Sequence, residues 1–200
     1  MKRRTLDLLF SAGGLALAVL LLVLGLVLNN NASFAKRYVK DQLQEQRITF
    51  TPIAGLDDTE KKSSCLVKNA GRSLESGKQS ECYANSYIAY HLTEINGGKT
   101  YSQTSTEARA ARAAATDATT KNDPKATELA ATATALDAKV QTLFRGETLR
   151  GLLLTSYGFS VFGEKAAQAS LVALLAALVL LLASLAGFVH FIKTSQDEHV

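Results

Sequence analysis

The sequence predicts a mostly α-helical membrane protein. Two transmembrane helices flank an extracytoplasmic helical domain that holds a helical hairpin and at most a short strand. Three observations lead there. Residues 8–28 are 21 positions without a charge, 17 of them apolar. Residues 169–192 are 24 positions without a charge, 20 of them apolar. Residues 104–144 are rich in Ala and Thr and carry helix-start signals.

The chain-wide averages conceal this division. An apolar share of 47%, a charged share of 20% and a mean hydropathy of +0.06 describe an ordinary soluble domain. Yet all 40 charges fall in the 155 residues outside the two runs. That excludes a uniformly soluble protein, a large multi-span transporter and a disordered chain, because long apolar segments must be buried in lipid or protein.

Each run is long enough to cross a bilayer. At 1.5 Å per residue they reach roughly 32 and 36 Å, against a hydrocarbon core of about 30 Å. Only a helix satisfies its own backbone in lipid. Lys2, Arg3 and Arg4 precede the first run, and Lys193 follows the second. The positive-inside rule then puts both termini in the cytoplasm of a two-pass protein of the cell membrane. Expected boundaries are a cytoplasmic 1–7, a first span 8–28, an extracytoplasmic 29–168, a second span 169–192 and a cytoplasmic tail 193–200.

A cleaved signal peptide competes for the first run, with a small-x-small site at Ser33-Phe34-Ala35. The apolar stretch exceeds the usual signal core, which favours an uncleaved anchor. Asn31-Ala32-Ser33 matches a glycosylation sequon but lies against the membrane, and it is read as chance.

Cys65 and Cys82 both fall in the external segment. Oxidising conditions favour a bridge there, and the Cys-x-x-Cys spacing of redox pairs is absent. A structural disulfide is expected within a stapled unit at 47–103. Inside it, residues 47–52 alternate as a short strand or extended piece. Residues 80–96 form an amphipathic helix through Ala84, Tyr87, Ile88, His91, Leu92 and Ile95. Gly97-Gly98 supplies its left-handed end.

The hairpin is expected at 104–144. Thr104-x-x-Glu107 has capping-box spacing and starts a helix to about Lys121. Asp123-Pro124 starts a second helix to Phe144, with Leu129, Leu136 and Leu143 seven residues apart. Residues 145–168 read either as an interfacial helix or as the top of one long helix continuous with the second span. The long helix is preferred, with Tyr157, Phe159 and Phe162 packed on the extension of the first.

The residues offer little chemistry. His91 lies on the apolar face of its helix and reads as a packed, hydrogen-bonded residue rather than a ligand. His190 and His199 lie across the membrane from it. No zinc, calcium or metalloprotease spacing occurs, so no metal and no cofactor are expected. Gly98-Lys99-Thr100 fails as a P-loop, because Thr93 stands where its first Gly belongs. No G-x-S-x-G elbow is present, so a hydrolase ranks last. A pI near 9.1 is offset by acids scattered among the basic residues, so no nucleic-acid partner is expected. The spans hold no ionisable residue except His190, which argues against transport.

The second span carries small residues toward one face: Ala169, Ala173, Ala176, Ala177, Ala183, Ser184 and Gly187. The first adds Ala12, Ala16 and Gly13-Gly14. Small residues permit close helix–helix approach in lipid. They are the expected face for docking against a larger membrane complex.

One series of residues resembles a known family. It runs Ile88-x-x-His91, then Gly97-Gly98-Lys99-Thr100-Tyr101-Ser102-Gln103, then Leu149-Arg150-Gly151-x-Leu153-x-Thr155-Ser156. It is similar to small two-span actinobacterial membrane proteins with an external loop between the spans. Many of these carry an aromatic ring-opening dioxygenase name, and one group is the respiratory supercomplex association factor family of the cytochrome bcc–aa3 assembly. The resemblance covers both spans and roughly residues 79–103. The Ala/Thr hairpin, the two cysteines and Glu164-Lys165 depart from it. It implies a non-catalytic accessory subunit whose partners are lipid and a membrane protein complex, here the bcc–aa3 oxidase subunits. The alternative is a stand-alone extracytoplasmic ligand-binding or envelope protein, with a pocket lined by Tyr83, Tyr87, Tyr90, His91 and Tyr101.

Overall fold

The computed structural model describes residues 3–193, so Lys2, His199 and most of the expected tail 193–200 lie outside the described residues. Six α-helices follow one another: α1 (Arg3–Glu45), α2 (Ser64–Asn69), α3 (Gly77–Cys82), α4 (Ala89–Ile95), α5 (Tyr101–Thr120) and α6 (Ala126–Lys193). A π-helical segment, Tyr83–Ile88, joins α3 to α4. No strand occurs among the described residues; Thr49 and Ser73 make one isolated antiparallel bridge.

The two long helices follow from where the chain places its breakers. Its 2 prolines are Pro52 and Pro124. One lies beyond the end of α1, the other just before the start of α6. Proline removes a helix donor and clashes with the preceding turn, so Leu- and Ala-rich sequence free of it propagates as helix. α1 carries the first apolar run on through residues 29–45. α6 runs 68 residues without a break, so 145–168 is part of one long helix and the hairpin's second arm does not stop at Phe144. Both helices contain a window long and apolar enough to cross a membrane.

The chain divides into two units, Met1–Tyr38 with Ser160–Val200 and Val39–Phe159. In the first unit, α1 and α6 lie antiparallel along a seam of small residues. Ser11, Ala18, Gly25 and Ala32 recur every seven positions on α1 and are all buried. Gly163, Ser170, Ala177 and Ser184 do the same on α6. A seven-residue repeat keeps one stripe facing the partner along a supercoil.

The seam differs in part from the small-residue face read from the sequence. Ala173, Ala177 and Ser184 are buried, and Ala176 and Gly187 are half-buried. Ala169 and Ala183 point outward. On α1, Ala12, Gly13 and Ala16 are exposed, while Ser11, Ala18 and Gly25 take the seam. Composition alone does not set helical phase; the seven-residue repeat does.

In the second unit a core of Phe50, Leu56, Leu66, Leu74, Ile88, Leu92, Leu143 and Leu153 gathers around the cysteine segment. Residues 48–50 are an extended piece rather than a strand. Phe50 N–H donates to Arg72 O at 2.9 Å, and Leu74 N–H donates to Ile48 O at 2.9 Å. The expected helix at 80–96 begins earlier, at Gly77, where Ser76 caps it by accepting from Gln79 N–H.

α5 and the start of α6 form the expected antiparallel hairpin. Arg112 pairs with Asp137 at 3.0 Å, and the Tyr101 and Phe144 rings lie 5.8 Å apart. Thr104, Ala108, Ala115 and Ala118 are buried on α5, and Ala133 and Leu143 on α6. The start differs from expectation. The capping box is Thr100 with Gln103, so the helix begins at Tyr101. Thr104 lies fully buried inside it instead. The T-x-x-E and T-x-x-Q spacings compete, and the glycines before Thr100 decide between them by ending α4 there.

Candidate functional site

The second unit concentrates its polar side chains at a corner where the loop before α2 meets the π-helical segment and α4. Asp57-Asp58-Thr59-Glu60 folds into a reciprocal cap. Asp57 Oδ1 accepts Thr59 N–H and Glu60 N–H, both at 2.7 Å. Glu60 Oε2 accepts Asp57 N–H at 2.9 Å. Glu60 is 5% exposed, a buried carboxylate, and its other oxygen lies 3.1 Å from His91 Nε2. Tyr90 O–H donates to Asp57 Oδ2 at 2.9 Å.

Donors around Asp57 favour its charged form. The Glu60 N–H, more than the Tyr90 hydroxyl and Thr59 N–H, holds its carboxyl below the ordinary value of 3.8. The same bond raises the Tyr90 phenol above its usual range.

Aromatic rings continue from this corner. Phe50 meets Tyr83 edge-on at 5.2 Å, Tyr83 meets Tyr87 at 4.7 Å, and Tyr87 meets His91 at 4.5 Å. Positions 83, 87 and 91 are four apart, which stacks them along one face of the helix. Burial raises the Tyr83 phenol. The structure therefore joins four of the five residues expected to line a pocket into a row of mutual ring contacts. Tyr101 takes a different partner, Phe144. His91 is hydrogen-bonded, as expected, with Glu60 Oε1 as its partner, but its side chain is 48% exposed rather than packed away.

The Cys65–Cys82 disulfide forms, with sulfurs 2.02 Å apart. It ties α2 to the end of α3, and Ser86 Oγ lies 3.4 Å from Cys65 Sγ.

The remaining motif residues build the turn between α4 and α5 and one stretch of α6. Ile88 is buried in the core. Gly97 and Gly98 have φ of 60° and 78°, and Gly98 N–H donates to Thr93 O at 2.7 Å, closing α4. Lys99 pairs with Glu107, whose carboxyl is lowered by that bond first and by Asn96 next. Thr100 caps α5, and Tyr101 is its first residue. On α6, Arg150 reaches Asn85 Oδ1 at 3.3 Å, joining the last motif to the π-helical segment. Leu149 is exposed. Thr155 and Ser156 return their hydroxyls to the carbonyls of Gly151 and Leu152.

Three connecting residues escaped the sequence reading. Asn96 Nδ2 donates to Thr104 Oγ1 at 3.0 Å, and its Oδ1 accepts from Lys139 at 3.1 Å, so one side chain links α4, α5 and α6. Asp57 and Glu60 lie in the stretch between the extended piece and α2. Their D-x-x-E spacing is a capping signal that was available.

No family model matches the chain, nor does any curated protein or solved structure.

Proposed function

We propose that this is a two-pass membrane protein with an extracytoplasmic helical domain, serving as a non-catalytic accessory subunit of a larger membrane complex. The observation that carries the membrane reading is the register of the first unit. Neighbours across the seam are Ser11 with Gly187, Gly14 with Ser184, and Gly25 with Leu174. The two apolar runs, separate in sequence, therefore stand side by side at the same height. Asp7 meets His190 at 2.8 Å at one end of this slab. Outward it presents Leu20, Val23, Leu26, Leu171, Val172, Leu178 and Val179, all more than half exposed. Such a surface is covered by lipid or by another apolar protein.

The expected docking face needs revision. Ala173, Ala177 and Ser184 of α6 are buried in the seam with α1, so a partner would meet mainly the large apolar side chains instead. The identity of that partner rests on the resemblance noted above, which suggests the bcc–aa3 assembly. The polar corner of the second unit serves here as scaffold, since Asp57, Glu60, Tyr90 and His91 satisfy one another.

Affinity purification from native membranes in mild detergent tests the reading. Oxidase or cytochrome subunits are expected in stoichiometric amounts. Recovery of stoichiometric partners of another kind refutes the respiratory assignment. Release of the protein by alkaline carbonate refutes the membrane assignment.

A further inference from the structure

We propose that Asn96 is a modification site, deamidated by the chain's own backbone and water, and that the junction it builds holds the reaction off until the α4–α5 turn opens. Asn96 precedes Gly97, and the chain has no other Asn-Gly pair. Asparagine is a chemically labile side chain. Glycine carries no Cβ to shield its nitrogen from that neighbour. The Gly97 nitrogen attacks Asn96 Cγ, the Cγ–Nδ2 bond breaks, and ammonia leaves with the Gly97 proton. Water then opens the five-membered imide at either carbonyl, giving aspartate or isoaspartate. One water is consumed and one ammonia released.

The folded geometry blocks the first step in two ways. Asn96 has φ −142° and ψ 45°. That ψ turns the Gly97 nitrogen away from Cβ, whereas ring closure needs the two eclipsed about the Cα–C bond. The side-chain amide is also tethered at both ends. Nδ2 donates to Thr104 Oγ1 at 3.0 Å and to Glu107 Oε2 at 3.4 Å, and Oδ1 accepts from Lys139 at 3.1 Å. Thr104 is fully buried, so its end of the tether is fixed.

The segment that must move is the one most free to do so. Rotation about ψ of Asn96 carries Gly97 and Gly98 with it. It breaks the bonds from Gly98 N–H to Thr93 O at 2.7 Å and from Lys99 N–H to Asn96 O at 3.2 Å. Residues 97–100 are all exposed, and exposed turns open at little cost compared with the core. The product then weakens the junction. A carboxylate at position 96 cannot donate to Thr104 or Glu107, and it sets a second negative charge beside Glu107. Isoaspartate also lengthens the backbone between α4 and α5. Because ammonia is lost, the link among α4, α5 and α6 loosens in one direction only.

Incubating the full chain in mild detergent and mildly alkaline buffer tests the proposal. Mass spectrometry of the peptide carrying Asn96, with isoaspartate methyltransferase labelling, reads the conversion. Folded wild type is expected to convert many-fold more slowly than urea-denatured wild type. Thr104→Val, which removes the acceptor, is expected to convert several-fold faster than folded wild type. Thr104→Ser, which keeps the acceptor, is expected to convert at the wild-type rate. Converted protein is expected to exchange the amides at the start of α5 several-fold faster than unconverted protein. Equal rates in the folded and denatured wild-type chain overturn the proposal, and that comparison needs no variant to fold. Equal rates in Thr104→Val and Thr104→Ser, or unchanged amide exchange after conversion, overturn it as well.

Discussion

Gly25 lies against Leu174 across the α1–α6 seam, and replacing it measures how firmly the seam specifies the pair. A Cβ there would lie 2.7 Å from both Cγ and Cδ2 of Leu174 and 3.4 Å from its backbone N. Carbon atoms are at their optimum near 3.5–4.0 Å, so the helices must part by most of an ångström or Leu174 must leave its rotamer. Overpacking of this kind costs about 1–3 kcal/mol. The helix gains back about 0.5–1 kcal/mol when glycine becomes alanine. Parting the helices also stretches the 2.7 Å bond from Ser170 Oγ to Gly25 O, a further loss near 1 kcal/mol. Gly25→Ala should therefore destabilise by about 1–3.5 kcal/mol, and Gly25→Leu by clearly more. Gly13 is the internal control, since a Cβ there meets nothing within 4 Å. Gly13→Ala should be neutral or stabilising by up to about 1 kcal/mol. The assay is unfolding by added SDS from a mild detergent, followed by circular dichroism and by proteolysis. Equal midpoints for Gly25→Leu and wild type would refute the seam, as would equal losses at Gly13 and Gly25.

Other outcomes follow from the second unit. Reducing Cys65–Cys82, or replacing both by Ser, should cost on the order of 3 kcal/mol in the denaturant unfolding of the same preparation. Asn96→Ala removes the side chain that links α4, α5 and α6; about 1–3 kcal/mol is expected, with amide exchange faster at the start of α5. Gly98→Ala, at φ 78°, should lose about 1–2 kcal/mol through backbone strain alone, because nothing crowds the position. Asp57 has a lowered folded pKa, so its contribution is present above its ordinary value of 3.8 and fades as pH falls through the folded value. The thermal midpoint should thus drop below about pH 4, and Asp57→Asn should flatten part of that slope. An unchanged slope would mean the Glu60 and Tyr90 bonds to Asp57 are not made in solution.

Much of the architecture is legible in residue order because local rules suffice for it. Helices in the two apolar runs and the hairpin turn at Asp123-Pro124 need only composition and capping residues, and the disulfide joins the chain's only two cysteines. The π-helical segment at Tyr83–Ile88, the shift of the α5 cap from Thr104 to Thr100, and the exposure of His91 were not legible. Each is decided by what packs on the segment. Buried Glu60, for example, hydrogen-bonds His91 from 31 positions away.

The sequence by itself determined that two helices are apolar enough to span a membrane, and that a polar, disulfide-bearing helical domain lies between them in the chain. Those properties sum over neighbouring residues, so order along the chain is enough. The tertiary structure alone decided which small residues face each other. Phase around a helix becomes visible only against a partner: Ala12, Ala16 and Ala169 face outward, while Ser11, Ala18 and Gly25 pack on α6. It also decided that two runs separated by 140 residues stand at one height. Backbone approach at Gly14, Gly25 and Gly187 sets that register, and no local pattern encodes it.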